Sequence, residues 1–199
     1  VLIDSRLYLI TPARPDLDDF LGAAVRGGVD LVQIRERSLR DAALLAVLRQ
    51  ARETTRRLGV PLVVNDRADL ALLCEADLVH VGQDDLPVED VRRLGLAVGV
   101  STHTAGEIDA AAADYLGVGP VFATPTKPGR QATGLELVRH AAGHARVPWF
   151  AIGGIDESNV AAVVAAGATR IAVVRAIGEA PDPERAAASL REAVSAGAF

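Results

Sequence analysis

Short apolar runs of strand length recur along the chain. Each closes on a small polar cluster and is followed by an amphipathic, helix-like stretch before the next run. The runs fall at 6–10, 31–34, 62–64, 78–81, 97–100, 115–118, 149–152 and 170–174. The polar clusters that close them are Thr11, 33–37, Asn65-Asp66, 82–85, 101–104, 124–127, Gly153-Gly154 and Val174-Arg175. Near-continuous apolar runs are how parallel strands buried on both faces read, and strand, polar loop and helix repeated eight times predict a single-domain α/β (β/α)8 barrel over 1–199. Periodicity alone does not prove closure, but the count of eight does favour it. No Gly-x-Gly-x-x-Gly follows the first run, which argues against a dinucleotide-binding open sheet.

The segments between the runs carry helix signals. Asp16 opens a stretch that places Leu17, Phe20, Leu21, Ala24 and Val25 on one face, and Gly27-Gly28 ends it. Ser38-Leu39-Arg40-Asp41 reads as a capping box for a helix reaching about Leu58, stopped by Gly59 and Pro61. Asp156 reads as the cap of a helix ended by Gly167, and Asp182-Pro183-Glu184 opens the last helix. Eight units share 199 residues, about 25 each, so the connections are lean and any closure over the barrel mouth falls to one loop.

Composition narrows the function. Half the residues are apolar and the net charge is −5, which fits a cytoplasmic enzyme and gives no sign of a nucleic-acid partner. The single cysteine, Cys74, lies among apolar neighbours and reads as a buried structural thiol. No membrane span or signal peptide is legible, and assembly as a homo-oligomer is left open.

Candidate chemistry collects where the apolar runs end, the side on which barrels of this kind build their active sites. Asn65-Asp66 and Asp84-Asp85 follow adjacent strands, so their carboxylates can converge and suit Mg²⁺, which takes one or two carboxylates and fills its remaining positions with water and phosphate oxygens. Asp84 reads equally well as a helix cap. Gln33, Arg35 and Arg37 alternate, and period two sends them to one face as a diphosphate clamp, the alternative being solvated arginines. Lys127 is the only lysine among 21 basic residues, in a proline-stiffened loop with Thr124, Pro125 and Thr126 that could close over a ligand. Gly153-Gly154, together with Val174 and Arg175, suits a phosphate held by backbone N–H groups. His80 reads as a core strand residue and His103, near Ser101, as a structural residue with a polar contact as the alternative; neither joins a legible metal or triad spacing.

In order along the chain, 32–37, 64–67, 81–85, 98–103, 117–127 and 151–155 are similar to motifs of the thiamine-phosphate synthase family, and the resemblance covers nearly the whole length. It implies a transferase that joins 4-amino-5-hydroxymethyl-2-methylpyrimidine diphosphate to a thiazole phosphate and releases pyrophosphate, with Mg²⁺ as cofactor and a dissociative step. It further implies that Gln33, Arg35, Arg37, Asn65, Ser101 and Lys127 contact the pyrimidine diphosphate, with Lys127, Ser101 and Arg35 nearest the reaction. Asp66 and Asp85 would bind the metal, and Thr124, Pro125, Thr126, Gly154, Val174 and Arg175 would surround the thiazole phosphate. Arg37 stands where the family usually has lysine, and Arg175 where serine is frequent. The alternatives are a thiazole tautomerase on the same fold, which typically places a histidine where this chain has Pro120, and a non-catalytic thiamine- or phosphate-binding regulator.

Overall fold

The computed structural model describes residues 4–124 and 131–196. The expectations for Pro125, Thr126 and Lys127 lie outside the described residues. In chain order the elements are β1 Leu7–Thr11, α1 Leu17–Arg26, β2 Leu31–Ile34, α2 Asp41–Leu58, β3 Leu62–Asn65, α3 Ala68–Leu73, β4 Leu78–Val81 and α4 Val88–Arg93. They continue with β5 Ala97–Thr102, α5 Ala105–Ala110, β6 Tyr115–Val118, α6 Gly134–His144, β7 Trp149–Ile152, α7 Val160–Ala165, β8 Ile171–Val173, α8 Arg175–Gly178 and α9 Pro183–Ala196. The eight strands close in sequence order into one barrel, each pairing in parallel with its neighbours and β8 returning to β1.

Period-two alternation divides the apolar residues into two cores. Leu7 and Leu9, Val32 and Ile34, Val64, Val79 and Val81 point outward and pack under the ring of helices. Tyr8, Leu31, Val63, Leu78, Tyr115, Phe150 and Ala172 point inward and fill the barrel. The interior is packed with aromatic rings: Phe150 meets Tyr8 and Tyr115 edge-to-face, at centroid distances of 5.2 and 5.9 Å.

The end of the barrel where the strands begin is held by a repeated device. Asp30, just before β2, accepts backbone N–H groups from Arg6 and Leu7, the latter opening β1. Asp77, before β4, accepts from Leu62 N at 2.8 Å, and Asp114, before β6, accepts from Val98 N at 2.7 Å. Each carboxylate also takes an arginine: Arg191 on Asp30, Arg52 on Asp77 and Arg92 on Asp114. These three carboxylates stitch the odd strands to the even ones that follow.

Closure brings α1 against α9. A Cβ added to Gly27 would stand 2.2 Å from the Glu184 carbonyl oxygen, so only glycine lets the two helices meet this closely.

Two expected caps are not made. The Ser38 hydroxyl and backbone N–H both donate to the Glu36 carboxylate, at 2.7 and 2.6 Å, and α2 starts later, with extended Arg40 as its N-cap. Asp156 accepts from the backbone N–H and hydroxyl of Ser158, and Asn159 takes the cap position of α7. In both cases a serine two residues from an acidic side chain offers a tighter local turn than the helix end does.

Candidate active site

At the end of the barrel where the strands terminate, a cavity of about 300 Å³ opens over the aromatic interior. Its walls include Gln33, Arg35, Asn65, Ser101, Gly154 and Arg175, contributed by loops or strand ends from both sides of the barrel. Thr124, Val174 and Pro120 line it as well. Most of the candidate residues among those described therefore surround one opening.

The charged side of that opening lies after β2, β3 and β4. β2 ends at Ile34, so Arg35 and Arg37 belong to the loop and the expected single inward face does not extend to them. Gln33 points into the barrel, 1 % exposed, and its amide nitrogen donates to the Tyr8 hydroxyl. Arg35 lines the cavity, where burial and the nearby Arg37 charge draw it below the ordinary arginine range, opposed by Asp66 and Asp85. Arg37 turns outward, its side chain 63 % exposed, and its Nη2 donates to Asp66 Oδ2 at 3.1 Å.

Asp66 is the most constrained of these residues. Its backbone adopts φ +61, an uncommon conformation that aspartate tolerates better than most residues, and its N–H donates to the His80 carbonyl at 2.8 Å. Burial, followed by the adjacent Asp85 carboxylate, pushes the Asp66 carboxyl above the usual aspartate range, while Arg37 pulls it down. Asp85 is set by its own turn, its Oδ2 accepting the Gly82 N–H at 2.7 Å. Asp84 is exposed and does not cap α4, whose N-cap is Pro87.

Among the described residues no group of three or more His, Cys, Asp or Glu side chains could hold a metal. Asp66 and Asp85 nevertheless fit a hard divalent cation. Asp66 is partly buried and Asp85 exposed, the charge of Asp85 opposes ionisation of Asp66, a conflict a cation would relieve, and the pair leaves further coordination positions to water or ligand oxygens.

The opposite side of the opening is made of backbone. Gly154 adopts φ +65, and a Cβ there would stand 2.8 Å from Phe122 Cβ and 2.9 Å from the Ala123 carbonyl oxygen. The side chain is missing because the chain after β6 passes directly behind it, and the Gly154 carbonyl is fixed by Asn159 Nδ2 at 2.8 Å. Val174, Arg175 and Ala176 complete this wall. The exposed Arg175 lies 4.0 Å from Glu179, the C-cap of its helix.

His80 departs from the sequence reading. It is a strand residue, but it lines the cavity rather than lying in a closed core, and both ring nitrogens are engaged, Nδ1 with the Tyr115 hydroxyl and Nε2 with Ser101 Oγ, each at 3.0 Å. Register would have revealed it. His80 pairs with Asn65 and Gly99, two residues after inward-facing Leu78, so it shares the inward face with Asn65. His103 also lines the cavity and is held by Glu107 and the Gly119 carbonyl. Cys74 is buried, and burial pushes its thiol up, as fits a structural residue.

Residues 7–177 match the family model described as thiamine monophosphate synthase. A thiamine-phosphate synthase of Arthrobacter sp. (strain FB24) is 50% identical over 231 aligned positions, covering 100% of this chain and 98% of the relative. One from Saccharopolyspora erythraea is 52% identical over 208 positions, covering 96% and 93%. Among solved structures, thiamine phosphate pyrophosphorylase from Pyrococcus furiosus superposes with a TM-score of 0.88 at 31% identity, covering 98% of this chain and 97% of that one.

Proposed function

The chain belongs to the thiamine monophosphate synthase family, and from that membership we propose how its mouth carries out the transferase reaction. 4-Amino-5-hydroxymethyl-2-methylpyrimidine diphosphate is joined to 4-methyl-5-(2-phosphooxyethyl)thiazole, giving thiamine phosphate and pyrophosphate. The bond between the pyrimidine methylene carbon and the diphosphate oxygen breaks, its electron pair leaving with pyrophosphate. The thiazole nitrogen lone pair then forms the new C–N bond. That nitrogen carries no hydrogen, so no proton has to be removed from it and the site needs no general base.

The observation that carries this reading is the gathering of Arg37, Asp66 and Asp85 around Arg35, which lines a cavity whose far wall is the glycine-built backbone around Gly154. Arg35 and Arg37 would hold the diphosphate by charge, and Lys127 would join them from its loop. Asp66 and Asp85 would hold Mg²⁺, which when bound neutralises charge on the diphosphate as it departs. Gln33, Asn65 and Ser101 would position the pyrimidine. The opposite wall, Gly154, Val174 and Arg175 with Thr124, Pro125 and Thr126, would take the thiazole phosphate. Departure of an anion leaves positive charge on the pyrimidine methylene, and the site's task is to stabilise separated charges while excluding water. The close-packed aromatic rings beneath the cavity, Tyr8, Tyr115 and Phe150, support that exclusion.

Pyrophosphate release measured with the pyrimidine diphosphate, with and without thiazole phosphate and Mg²⁺, tests the reading. Release coupled to formation of thiamine phosphate is expected. Tautomerisation of a thiazole without pyrophosphate release, or ligand binding without turnover, would replace it.

A further inference from the structure

Five polar side chains from five strands cross the barrel floor as one hydrogen-bonded chain. Gln33 of β2 donates its amide N–H to the Tyr8 hydroxyl of β1. The Tyr8 and Tyr115 hydroxyls are 3.0 Å apart, linking β1 to β6. The Tyr115 hydroxyl lies 3.0 Å from His80 Nδ1 on β4, and His80 Nε2 lies 3.0 Å from Ser101 Oγ on β5. Tyr8, Gln33 and Tyr115 are no more than 2 % exposed, so their polar atoms depend on partners inside the barrel. Burial raises both phenols far above the usual tyrosine range, and each keeps its proton.

A chain of this kind has a direction. With the Gln33 nitrogen donating, the Tyr8 oxygen accepts and its hydrogen goes to Tyr115. The Tyr115 hydrogen then goes to His80 Nδ1. Continued in that sense, the chain puts the imidazole hydrogen on Nε2, donated to Ser101, and leaves the Ser101 hydrogen for the cavity. At the other end the Gln33 carbonyl oxygen is left as an acceptor. Gln33, His80 and Ser101 all line the cavity, so both ends of the chain reach the ligand space.

We propose that this relay sets the polarity of the cavity before ligand arrives: Ser101 presents a donor and Gln33 an acceptor, with Tyr8, Tyr115 and His80 as positioning residues. The proposal rests on the functional reading above only for the ligand, a 4-aminopyrimidine diphosphate that carries amino hydrogens for Gln33 and acceptor atoms for Ser101. A hydroxyl with a fixed hydrogen reorganises less on binding than one free to rotate, and neighbouring bonds in such a chain polarise one another.

Two measurements test it. Nitrogen-15 NMR of the labelled wild type, with the His80 ring assigned through its bonded carbons, should show the neutral Nε2–H tautomer. An Nδ1–H tautomer means the relay runs the other way and overturns the proposal. Steady-state kinetics then compare Tyr115→Phe, Ser101→Ala and the double variant. Tyr115→Phe should raise KM for the pyrimidine diphosphate about tenfold, the scale of one buried hydrogen bond, with KM for the thiazole phosphate unchanged. The double variant should lose less than the product of the two single losses, because both act on one chain. Equal effects on both substrates, or fully multiplicative losses, would make Tyr115 a packing residue and overturn the proposal. Absence of pyrophosphate release by the wild type would instead remove the functional reading, while the tautomer still reports on the relay.

Discussion

The two ends of the barrel use the same side chains to opposite effect. Where the strands begin, Asp30, Asp77 and Asp114 each accept a backbone N–H and an arginine, so every carboxylate is satisfied within the fold. Where the strands end, Asp66 and Asp85 face one another, and the arginine that answers them, Arg37, is mostly exposed. An Asp–Arg pair is therefore not a function in itself. Its meaning depends on whether the carboxylate has a backbone donor at the start of a strand or a second carboxylate at the rim. The first arrangement lowers the energy of the fold, and the second leaves charge that a ligand can satisfy.

The sharpest way to break this comparison is to neutralise one carboxylate at the mouth. Asp66→Asn should lower turnover roughly a hundredfold or more, the scale of losing one electrostatic stabiliser, without loss of melting temperature, because asparagine also accepts positive φ. Mg²⁺ should raise the melting temperature of the wild type and leave the variant unmoved. A variant with full turnover would take Asp66 out of the mechanism.

The reciprocal change belongs at the other end. Asp77→Ala strips the Leu62 N–H and Arg52 of their shared acceptor, which should cost about 2–3 kcal/mol and lower the melting temperature by roughly 5–10 °C. KM for both substrates should be unchanged at temperatures where the variant is folded. A selective kinetic defect would show that the two ends are not independent.

A smaller effect is expected at Arg37, whose exposed side chain supplies charge more than shape. Arg37→Lys should stay within about tenfold of wild-type activity, or ~1.4 kcal/mol of barrier. A larger loss in purified, folded protein would mean that the planar guanidinium itself is required.

The smallest effect is on stability against pH in the metal-free protein. Because the Asp66 carboxyl is raised in the fold, its contribution to stability is fully present below the unfolded aspartate value of about 3.9 and is lost as pH rises through the folded value. Thermal melts of the wild type should fall slightly across that window relative to Asp66→Asn. Parallel curves would mean that neither burial nor Asp85 opposes ionisation of Asp66.

Much of this organisation was legible in the chain, for physical reasons. Four-residue runs such as 31–34 and 78–81 could be bounded from sequence because strands buried on both faces admit almost only apolar residues, and the polar cluster that ends each run is also where the chain leaves the barrel. The strand ends at Thr11 and Thr102 were harder to read, since a threonine suits a strand and a loop alike. Helix starts failed at Ser38 and Asp156, where two local partners competed for one carboxylate or hydroxyl. The relay across the floor was invisible for a different reason. Tyr8, His80 and Tyr115 come from strands that are not neighbours, and only closure of the sheet brings their side chains together.

That same closure has a consequence for the chain while it is being made. β1 finds its second neighbour only in β8, which begins at Ile171, and the seam is then sealed by α9 docking at Gly27. During synthesis from the N-terminus, one edge of β1 therefore waits for about 160 residues to follow it before a partner strand exists, a long-range pairing of the slow kind. Through that interval the nascent barrel carries an open, apolar strand edge that can recruit other chains. Removing β8 and α9 would leave that edge exposed permanently, so residues 171–196 act as an intramolecular guard against aggregation even though they contribute few groups to the chemistry.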